Sequence, residues 1–259
     1  MVPLKDLSPE ELERYDRQIR VWGVEAQKKL KSSTVLVVGA GGLGSPVAFY
    51  LVAAGVGKLI IVDAEDVELS NLNRQILHWT SDLGKAKVES AKEKLEKLNP
   101  HVEVVTLKQK IRSLEDALKL VEDADVVVDC LDNWSTRFLL NEACVKLGKP
   151  LVHGAVRGLY GQLTVVKPFE GPCLRCILPR EPPEERPFPV AGPTPGVIGS
   201  LEALEVIKIL TGYGEPMVGR LLFYDGVRNT FDVVKVERRP DCPVCGVSVR
   251  KVASGGKTS

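Results

Sequence analysis

Short runs of β-branched and apolar residues alternate along the chain with segments whose apolar positions recur at helical spacing. Five of these runs predict buried strands, at residues 34–38, 58–62, 102–107, 124–129 and 150–155. A helical segment follows each of the first four, as in the one with its apolar face at Val88, Ala91 and Leu95. Strands that alternate with helices predict a parallel α/β sheet with ligands at the carboxyl ends of the strands.

The pattern changes in the second half of the chain. No helix separates the fifth run from the next one, at residues 161–167, so the sixth strand is predicted to be antiparallel to the others. An apolar helix is predicted at residues 196–211, followed by a hairpin at residues 219–225 and 229–236. For a chain of 259 residues, we expect one doubly wound α/β domain with a mixed sheet and helices on both faces.

A glycine-rich turn follows the first strand. Its sequence is Gly39-Ala40-Gly41-Gly42-Leu43-Gly44, a spacing that allows a tight turn, close approach of the backbone to a phosphate, and close helix–strand packing. The second strand ends at Asp63, the usual distance for an acid that binds a ribose. These residues predict a Rossmann-like nucleotide site, which an NAD-dependent oxidoreductase could also contain.

Two cationic residues beyond Asp63 change this interpretation. Arg74 and Lys85 are both expected near the nucleotide end of the sheet. A dinucleotide needs one anchor for its short pyrophosphate, whereas a forked Arg donor and a Lys point charge suit a longer triphosphate. ATP is therefore the favoured nucleotide.

This part of the chain resembles the adenylating domain shared by ubiquitin-activating enzymes and the HesA/MoeB/ThiF family. The resemblance is carried by the glycine-rich turn, by Gly84-Lys85 and by the run Asp63-Ala64-Glu65-Asp66-Val67-Glu68-Leu69-Ser70-Asn71-Leu72-Asn73-Arg74-Gln75. It extends over residues 12–246 and is strongest to the adenylyltransferases of molybdopterin-synthase and sulfur-carrier proteins. We expect one domain, 1–259. It begins with N-terminal helices (1–33) and a nucleotide-binding half (34–155). The following part (156–246) completes the sheet and contains the crossover loop and the zinc clip, and a tail (247–259) ends the chain.

The resemblance implies a reaction and its participants. A small ubiquitin-like sulfur-carrier protein that ends in Gly-Gly would be adenylated on its C-terminal carboxylate by ATP with Mg²⁺, giving an acyl adenylate and pyrophosphate. Its implied site uses the turn glycines Gly39, Gly41, Gly42 and Gly44 together with Asp63 at the ribose, Asn71 and Gln75 at the phosphates, Arg74 and Lys85 as phosphate cations, and Asp132 as the Mg²⁺ ligand.

The N-terminal segment places three arginines within seven residues, at positions 14, 17 and 20. Ser8 and Pro9 predict the start of a helix that runs to Arg20. Charge alone favours a solvated helix face. In the resembled family, however, the arginine that matches Arg17 reaches the ATP phosphates of the partner subunit, which implies a homodimer with shared active sites.

Two acids, Asp129 and Asp132, close the fourth strand. Helix capping by Asp132 or Asn133 is one interpretation, and an oxygen ligand for Mg²⁺ is the other. The family has an Asp-Asn pair at this place, which favours Asp132, while the role of Asp129 stays open. His153, on the fifth strand, is more often a packed core residue in such a context and receives no role. Arg157 follows that strand and could approach the substrate.

Four of the six cysteines form two Cys-x-x-Cys pairs, Cys173/Cys176 and Cys242/Cys245. Four thiolates at this spacing suit Zn²⁺ in a closed, structural site. A redox pair or unrelated buried thiols are the alternatives, but two complete pairs in a reducing compartment favour zinc. The zinc-containing members of the resembled family have the same two pairs, and the ion would clip the C-terminal segment to the middle of the chain.

A proline-rich loop lies between the two pairs, at residues 178–195, where prolines exclude a helix or a sheet interior. It is either a linker or a lid. In the resembled family a crossover loop passes over the active site here, and many members have a cysteine at its far end, where this chain has none. We therefore expect the adenylate to await an external acceptor, either an amine or a sulfur donor such as one of the cysteine desulfurase or rhodanese type.

The formal net charge of +1 argues against a general nucleic-acid binder or membrane-surface binder. No apolar run is long enough to span a membrane, and the N-terminus does not predict a signal peptide, so a cytoplasmic location is expected. Two other functions stay open, an NAD-dependent oxidoreductase and a catalytically silent nucleotide-binding scaffold. The pathway also stays open among molybdopterin or tungstopterin biosynthesis, thiamine biosynthesis, tRNA thiolation and protein modification.

Overall fold

Eight strands form one sheet in the part of the chain that the computed structural model describes, residues 4–183 and 188–246. They are β1 Thr34–Val38, β2 Lys58–Val62, β3 Glu103–Leu107, β4 Val126–Asp129, β5 Leu151–Arg157, β6 Tyr160–Val166, β7 Arg220–Asp225 and β8 Thr230–Lys235. Their order across the sheet is β3-β2-β1-β4-β5-β6-β7-β8. The first five strands are parallel and the last three pair antiparallel, so the expected mixed sheet is confirmed.

Helices cover both faces of this sheet. They are α1 Pro9–Arg14, α2 Asp16–Trp22, α3 Val24–Lys31, α4 Gly44–Ala54, α5 Lys87–Leu98, α6 Leu114–Val121, α7 Trp134–Leu147, α8 Leu174–Ile177 and α9 Pro193–Thr211. Successive residues of β1 point to different cores, because Val35 and Val37 pack with α4, α5 and α9, whereas Leu36 and Val38 pack with α6 and α7. Burial on both faces explains the continuous apolar sequences of the parallel strands.

Two helix boundaries differ from the expectation. The predicted N-terminal helix breaks at Tyr15, whose buried hydroxyl accepts a hydrogen bond from Asn99 Nδ2 at 2.8 Å. Helix α9 begins at Pro193 rather than at residue 196, because prolines in a first helical turn lack only N–H groups that would have no partner there. The predicted tail at 247–259 lies outside the described residues. No helix within the described ranges is long and apolar enough to cross a membrane.

The carboxyl ends of β1, β2 and β4 meet at one edge of the sheet. Gly39 follows β1 and donates its N–H to Val62 O of β2 at 2.8 Å, and Cys130 follows β4 and donates its N–H to Val38 O at 2.9 Å. The segments that follow β2 and β4 therefore leave the sheet on either side of the glycine-rich turn. This is the point where the strand order reverses, at which open α/β sheets bind ligands.

Candidate active site

Very close backbone contacts shape the glycine turn (residues 39–44). Gly39 has a φ of 104°, and a Cβ there would lie 2.5 Å from Cys130 O. A Cβ on Gly44 would lie 1.9 Å from Gly39 O. Because Gly44 begins α4, the turn leads directly into a helix N-terminus, whose free N–H groups and dipole favour an anion. The turn therefore has the geometry for binding a phosphate.

A cavity of about 710 Å³, the glycine-turn cavity, opens in front of this turn. The structure brings together in its lining eight residues that the sequence predicted for a nucleotide site, namely Gly39, Gly41, Gly42, Asp63, Asn71, Arg74, Gln75 and Asp132. Gly44 supports the turn from α4 without lining the cavity. The loop after β3, residues 109–112, lines it too and was not predicted from the sequence.

Several polar side chains of this cavity are held by the backbone around them. Asp63 Oδ2 accepts the Ala40 N–H at 2.7 Å, which ties the end of β2 to the glycine turn. Arg74 Nη1 donates to Ser70 O at 2.8 Å. Gln75 is 5% exposed, and its Oε1 has no hydrogen-bond partner within the described residues. A buried amide oxygen without a partner retains its capacity to accept a hydrogen bond from a ligand or water.

The structure corrects the expected position of the lysine. Lys85 does not line the cavity, because it precedes α5 and its Nζ pairs with Glu93 one and a half turns into that helix, at 2.8 Å. Lys87, the first residue of α5, lines the cavity instead. Its side chain is 3% exposed, and its Nζ lies 2.7 Å from Glu65 Oε2. The lysine that lines the cavity is therefore Lys87, two residues after the lysine of the predicted Gly84-Lys85 pair.

Asp129 belongs to a buried cluster and does not line the cavity. Its Oδ2 lies 3.1 Å from Arg137 Nη1 and 2.7 Å from His153 Nδ1. Burial alone would raise the pKa of Asp129, but the Arg137 charge and the His153 hydrogen bond outweigh it and hold that pKa below its ordinary value. Burial lowers the pKa of His153. The open question about Asp129 is thereby answered in favour of internal charge pairing.

Arg137 is a residue that the sequence analysis missed. Its guanidinium donates to Gly154 O at 2.6 Å and to Leu131 O, the carbonyl directly before Asp132. It therefore fixes the loop that carries Asp132 to the middle of β5. The available signal was an arginine among the apolar residues of α7, since a charged side chain on a buried helix face needs partners. Asn133, whose Oδ1 accepts the Thr136 N–H at 2.9 Å, caps α7.

A second cavity of about 490 Å³, the apolar cavity, adjoins the first. Its lining includes four aromatic side chains, Trp134, Tyr160, Phe188 and Phe223. Arg157 lines it as well, and so do Pro182 and Pro183 of the proline-rich loop. Leu131, Asp132, Val156 and Phe188 line both cavities, so the two spaces meet at Asp132.

Glu202 is a fully buried acid behind the site, on α9. Neither of its carboxylate oxygens has a hydrogen-bond partner among the described residues. Burial, reinforced by the negative charge of Asp129, raises the pKa of Glu202 well above its ordinary value. A Cβ on Gly154 of β5 would lie 2.4 Å from Glu202 Cδ, so a larger residue there would force the Glu202 carboxyl group to move. Glu202 is therefore a neutral acid packed against the sheet.

The two Cys-x-x-Cys pairs meet on the face of the sheet that α6 and α7 cover, whereas Glu202 and α9 lie on the opposite face. All four cysteines are buried, and their sulfur atoms lie within 4.8 Å of one another. The Sγ atoms of Cys173 and Cys242 are 3.7 Å apart, and those of Cys176 and Cys245 are 3.4 Å apart. A tetrahedral zinc with bonds of about 2.3 Å would require sulfur–sulfur distances of about 3.8 Å. The cluster therefore fits a closed Zn²⁺ site without an open position for chemistry.

The comparisons with known proteins extend the motif-based resemblance to most of the chain. The model of the ThiF family matches residues 15–244. The chain belongs to the ThiF family. Among its relatives, "Adenylyltransferase and sulfurtransferase MOCS3" of Aedes aegypti is 48% identical over 250 residues, which are 93% of this chain and 57% of that protein. MOCS3-1 of Zea mays is 47% identical over 241 residues, with 90% and 51% covered.

This ThiF-family chain thus spans about half the length of the curated relatives it matches, and it is homologous to the class of proteins named adenylyltransferases. Solved structures agree. MccB of E. coli superposes with a TM-score of 0.82 at 27% identity, over 90% of this chain and 75% of that one. PaaA superposes with a TM-score of 0.78 at 25% identity, over 91% and 76%. The predicted family and fold are therefore confirmed.

Proposed function

We propose that this ThiF-family chain adenylates the C-terminal Gly carboxylate of a small ubiquitin-like sulfur-carrier protein. One observation carries the proposal: Asp132 lies where the glycine-turn cavity joins the apolar cavity. The first cavity has the size for ATP, and Arg74 and Lys87 in its lining supply charge for the phosphates, whereas the second cavity suits an extended peptide tail. A carboxylate that arrives through the apolar cavity meets the nucleotide at Asp132. An MccB structure with ATP, at a TM-score of 0.80, supports the nucleotide part of the proposal.

The reaction needs alignment and charge neutralisation more than proton transfer. A carboxylate oxygen attacks the α-phosphorus of ATP, the bond to the leaving pyrophosphate breaks, and an acyl adenylate forms. Arg74 and Lys87 would neutralise the phosphates, and Asp63 would hold the ribose hydroxyls. Asn71 and Gln75 would orient the phosphate groups. The Asp132 carboxylate is a suitable oxygen ligand for Mg²⁺, which would supply further positive charge to the phosphates when bound.

The sulfur that later reaches the carrier would come from outside the residues of this chain. All six cysteines are buried. Four of them form the predicted zinc cluster. Burial raises the pKa of Cys130 and of Cys144 well above the ordinary value for a thiol, so neither supplies a thiolate at neutral pH. We propose that an external persulfide donor of the cysteine desulfurase or rhodanese type consumes the adenylate.

A homodimer would complete the site. Arg17 is exposed on α2 and lines neither of the two cavities of its own chain. The neighbouring Arg20 is already paired with Asp16 at 2.9 Å. We propose that Arg17 contributes to the glycine-turn cavity of the partner subunit, as in the family that the sequence resembles.

Isotope exchange between pyrophosphate and ATP tests the proposal. Exchange should require Mg²⁺ and a carrier from the same proteome that ends in Gly-Gly, and removal of those two glycines should abolish it. Exchange without any carrier, or none with every ubiquitin-like carrier of that proteome, would contradict the proposal. The same assay separates adenylation from the oxidoreductase and scaffold alternatives, because neither of them releases pyrophosphate.

A further inference from the structure

His78 lies behind the glycine turn and lines neither cavity. Its side chain is buried, with 3% of the residue exposed. The ring Nε2 lies 2.8 Å from Ala40 O, and the ring Nδ1 lies 2.8 Å from Ser90 Oγ on α5. His78 therefore connects α5, the helix that begins with Lys87, to the main chain of the glycine turn.

The partners of the ring define its protonation. The Ala40 carbonyl can only accept, so Nε2 carries a hydrogen and donates it. Burial lowers the pKa of His78, which keeps the ring neutral and leaves Nδ1 as an acceptor for the Ser90 hydroxyl. The Ser90 Oγ also lies 3.0 Å from Asp82 Oδ2, which competes for the same hydroxyl hydrogen. Lys94 Nζ at 2.5 Å and the Trp79 N–H at 2.7 Å already donate to that carboxylate oxygen, so the hydroxyl can turn to His78 Nδ1.

The hydrogen bond to Ala40 O also orients the next amide. The Ala40 carbonyl and the Gly41 N–H share one planar trans peptide, in which they point in opposite directions. His78 thereby directs the Gly41 N–H to the side away from its own ring, and Gly41 lines the glycine-turn cavity. On the other side of the residue, Asp63 Oδ2 accepts the Ala40 N–H at 2.7 Å. Two side chains thus hold the two peptide groups that flank Ala40.

We infer that His78 is a positioning residue that keeps the glycine turn in its phosphate-binding conformation. This inference rests on the proposed use of the glycine-turn cavity for ATP. It acts only through the Ala40 carbonyl. Its loss should therefore weaken nucleotide binding more than a comparable loss elsewhere in the fold. Asn99 offers the matched comparison, because it is fully buried and its Nδ2 donates to Val52 O, a carbonyl near the far end of α4, at 2.8 Å.

The test measures binding of a non-hydrolysable ATP analogue with Mg²⁺ by calorimetry. His78→Leu should raise the dissociation constant about tenfold, the size expected for one lost orienting hydrogen bond. His78→Gln, which retains an N–H donor, should restore most of the affinity, and Asn99→Leu should lower stability without changing the affinity. Ser90→Ala should weaken binding to a smaller degree, because the neutral ring can then carry its proton on Nδ1 instead.

Hydrogen exchange of the amides at residues 40–45, without nucleotide, separates this inference from the proposed function. Exchange in His78→Leu should be faster than in the wild type and unchanged in Asn99→Leu. If His78→Leu does not fold, faster exchange in Ser90→Ala carries the same conclusion. Unchanged exchange in these variants would overturn the inference, as would unchanged affinity. Absence of binding by the wild type would contradict ATP use instead, and the exchange result would still decide the role of His78.

Discussion

Lys87 Nζ lies 2.7 Å from the Glu65 carboxylate inside the glycine-turn cavity, whereas Lys85 pairs with Glu93 outside it. The two lysines therefore make a matched pair for mutagenesis. We predict that Lys87→Ala lowers the pyrophosphate–ATP exchange rate by one to two powers of ten, since a charged phosphate contact contributes about 1.5–3 kcal/mol. Lys85→Ala should stay within about twofold of wild type, because it removes only partly exposed ion pairs with Glu93 and Asp82 that lie outside the cavity.

The comparison also tests the corrected position of the cation. A large loss in Lys85→Ala together with normal exchange in Lys87→Ala would contradict the structure and restore the sequence-based assignment. Circular dichroism should be recorded for both variants, because Lys87 is buried and its removal leaves Glu65 without its partner.

The buried acid Glu202 predicts a pH-dependent stability. Its pKa is raised in the folded state above the ordinary value of 4.5, so the folded chain keeps a proton that the unfolded chain releases. The free energy of unfolding must then fall as the pH rises above about 4.5, by up to about 1.4 kcal/mol for each pH unit, until the folded-state pKa is reached. Below that window both states are protonated, and Glu202 contributes no pH dependence to the stability.

Glu202→Gln should remove this cost. We expect the variant to be more stable than wild type at neutral pH, with a difference that grows between about pH 5 and pH 7 in urea unfolding. Glu205→Gln is the control on the same helix, because its carboxylate pairs with Lys208 at 2.6 Å and accepts the Met217 N–H at 2.8 Å, so that variant should not gain stability. A constant difference between wild type and Glu202→Gln at all pH values would contradict a neutral Glu202.

The sequence predicted most of the strands and helices along the chain, because each of these elements has a local cause. Continuous apolar runs require burial on both faces, and the glycine spacing requires one kind of turn. Lys87 was missed because the spacing of the motif does not show which of the two lysines near the start of α5, Lys85 or Lys87, lines the glycine-turn cavity. Arg137 and His78 were missed for a related reason. Their backbone partners Gly154 and Ala40 lie 17 and 38 positions away along the chain and become neighbours only in the folded state.

The cysteine cluster predicts about one Zn²⁺ per chain by metal analysis. Cys176→Ser should lose the metal and lower the unfolding temperature, with little change in the pyrophosphate–ATP exchange rate per folded molecule, because the site is closed and none of its four cysteines lines either cavity. Cys144→Ala is the control, since Cys144 is buried outside the cluster and should keep the metal. A metal-free wild-type protein with unchanged stability under reducing conditions would defeat the zinc assignment.

The proposed dimer predicts complementation between inactive variants. Arg17→Ala and Asp132→Ala should each lose most of the exchange activity, at least one to two powers of ten for a lost phosphate contact. Mixed dimers should recover part of it, because one of their two sites combines an intact Arg17 with an intact Asp132. Failure to recover, with subunit mixing established by native mass spectrometry, would show that Arg17 does not act across the interface.

The most direct test of the central claim follows the carboxylate oxygen. A Gly-Gly carrier labelled with a heavy oxygen isotope on its C-terminal carboxylate is incubated with the protein, ATP and Mg²⁺, and hydroxylamine then takes the acyl group. If the carboxylate attacks the α-phosphorus, mass spectrometry should find pyrophosphate and AMP that carries one labelled oxygen. ADP with inorganic phosphate, or AMP without the label, would contradict adenylation at the junction of the two cavities.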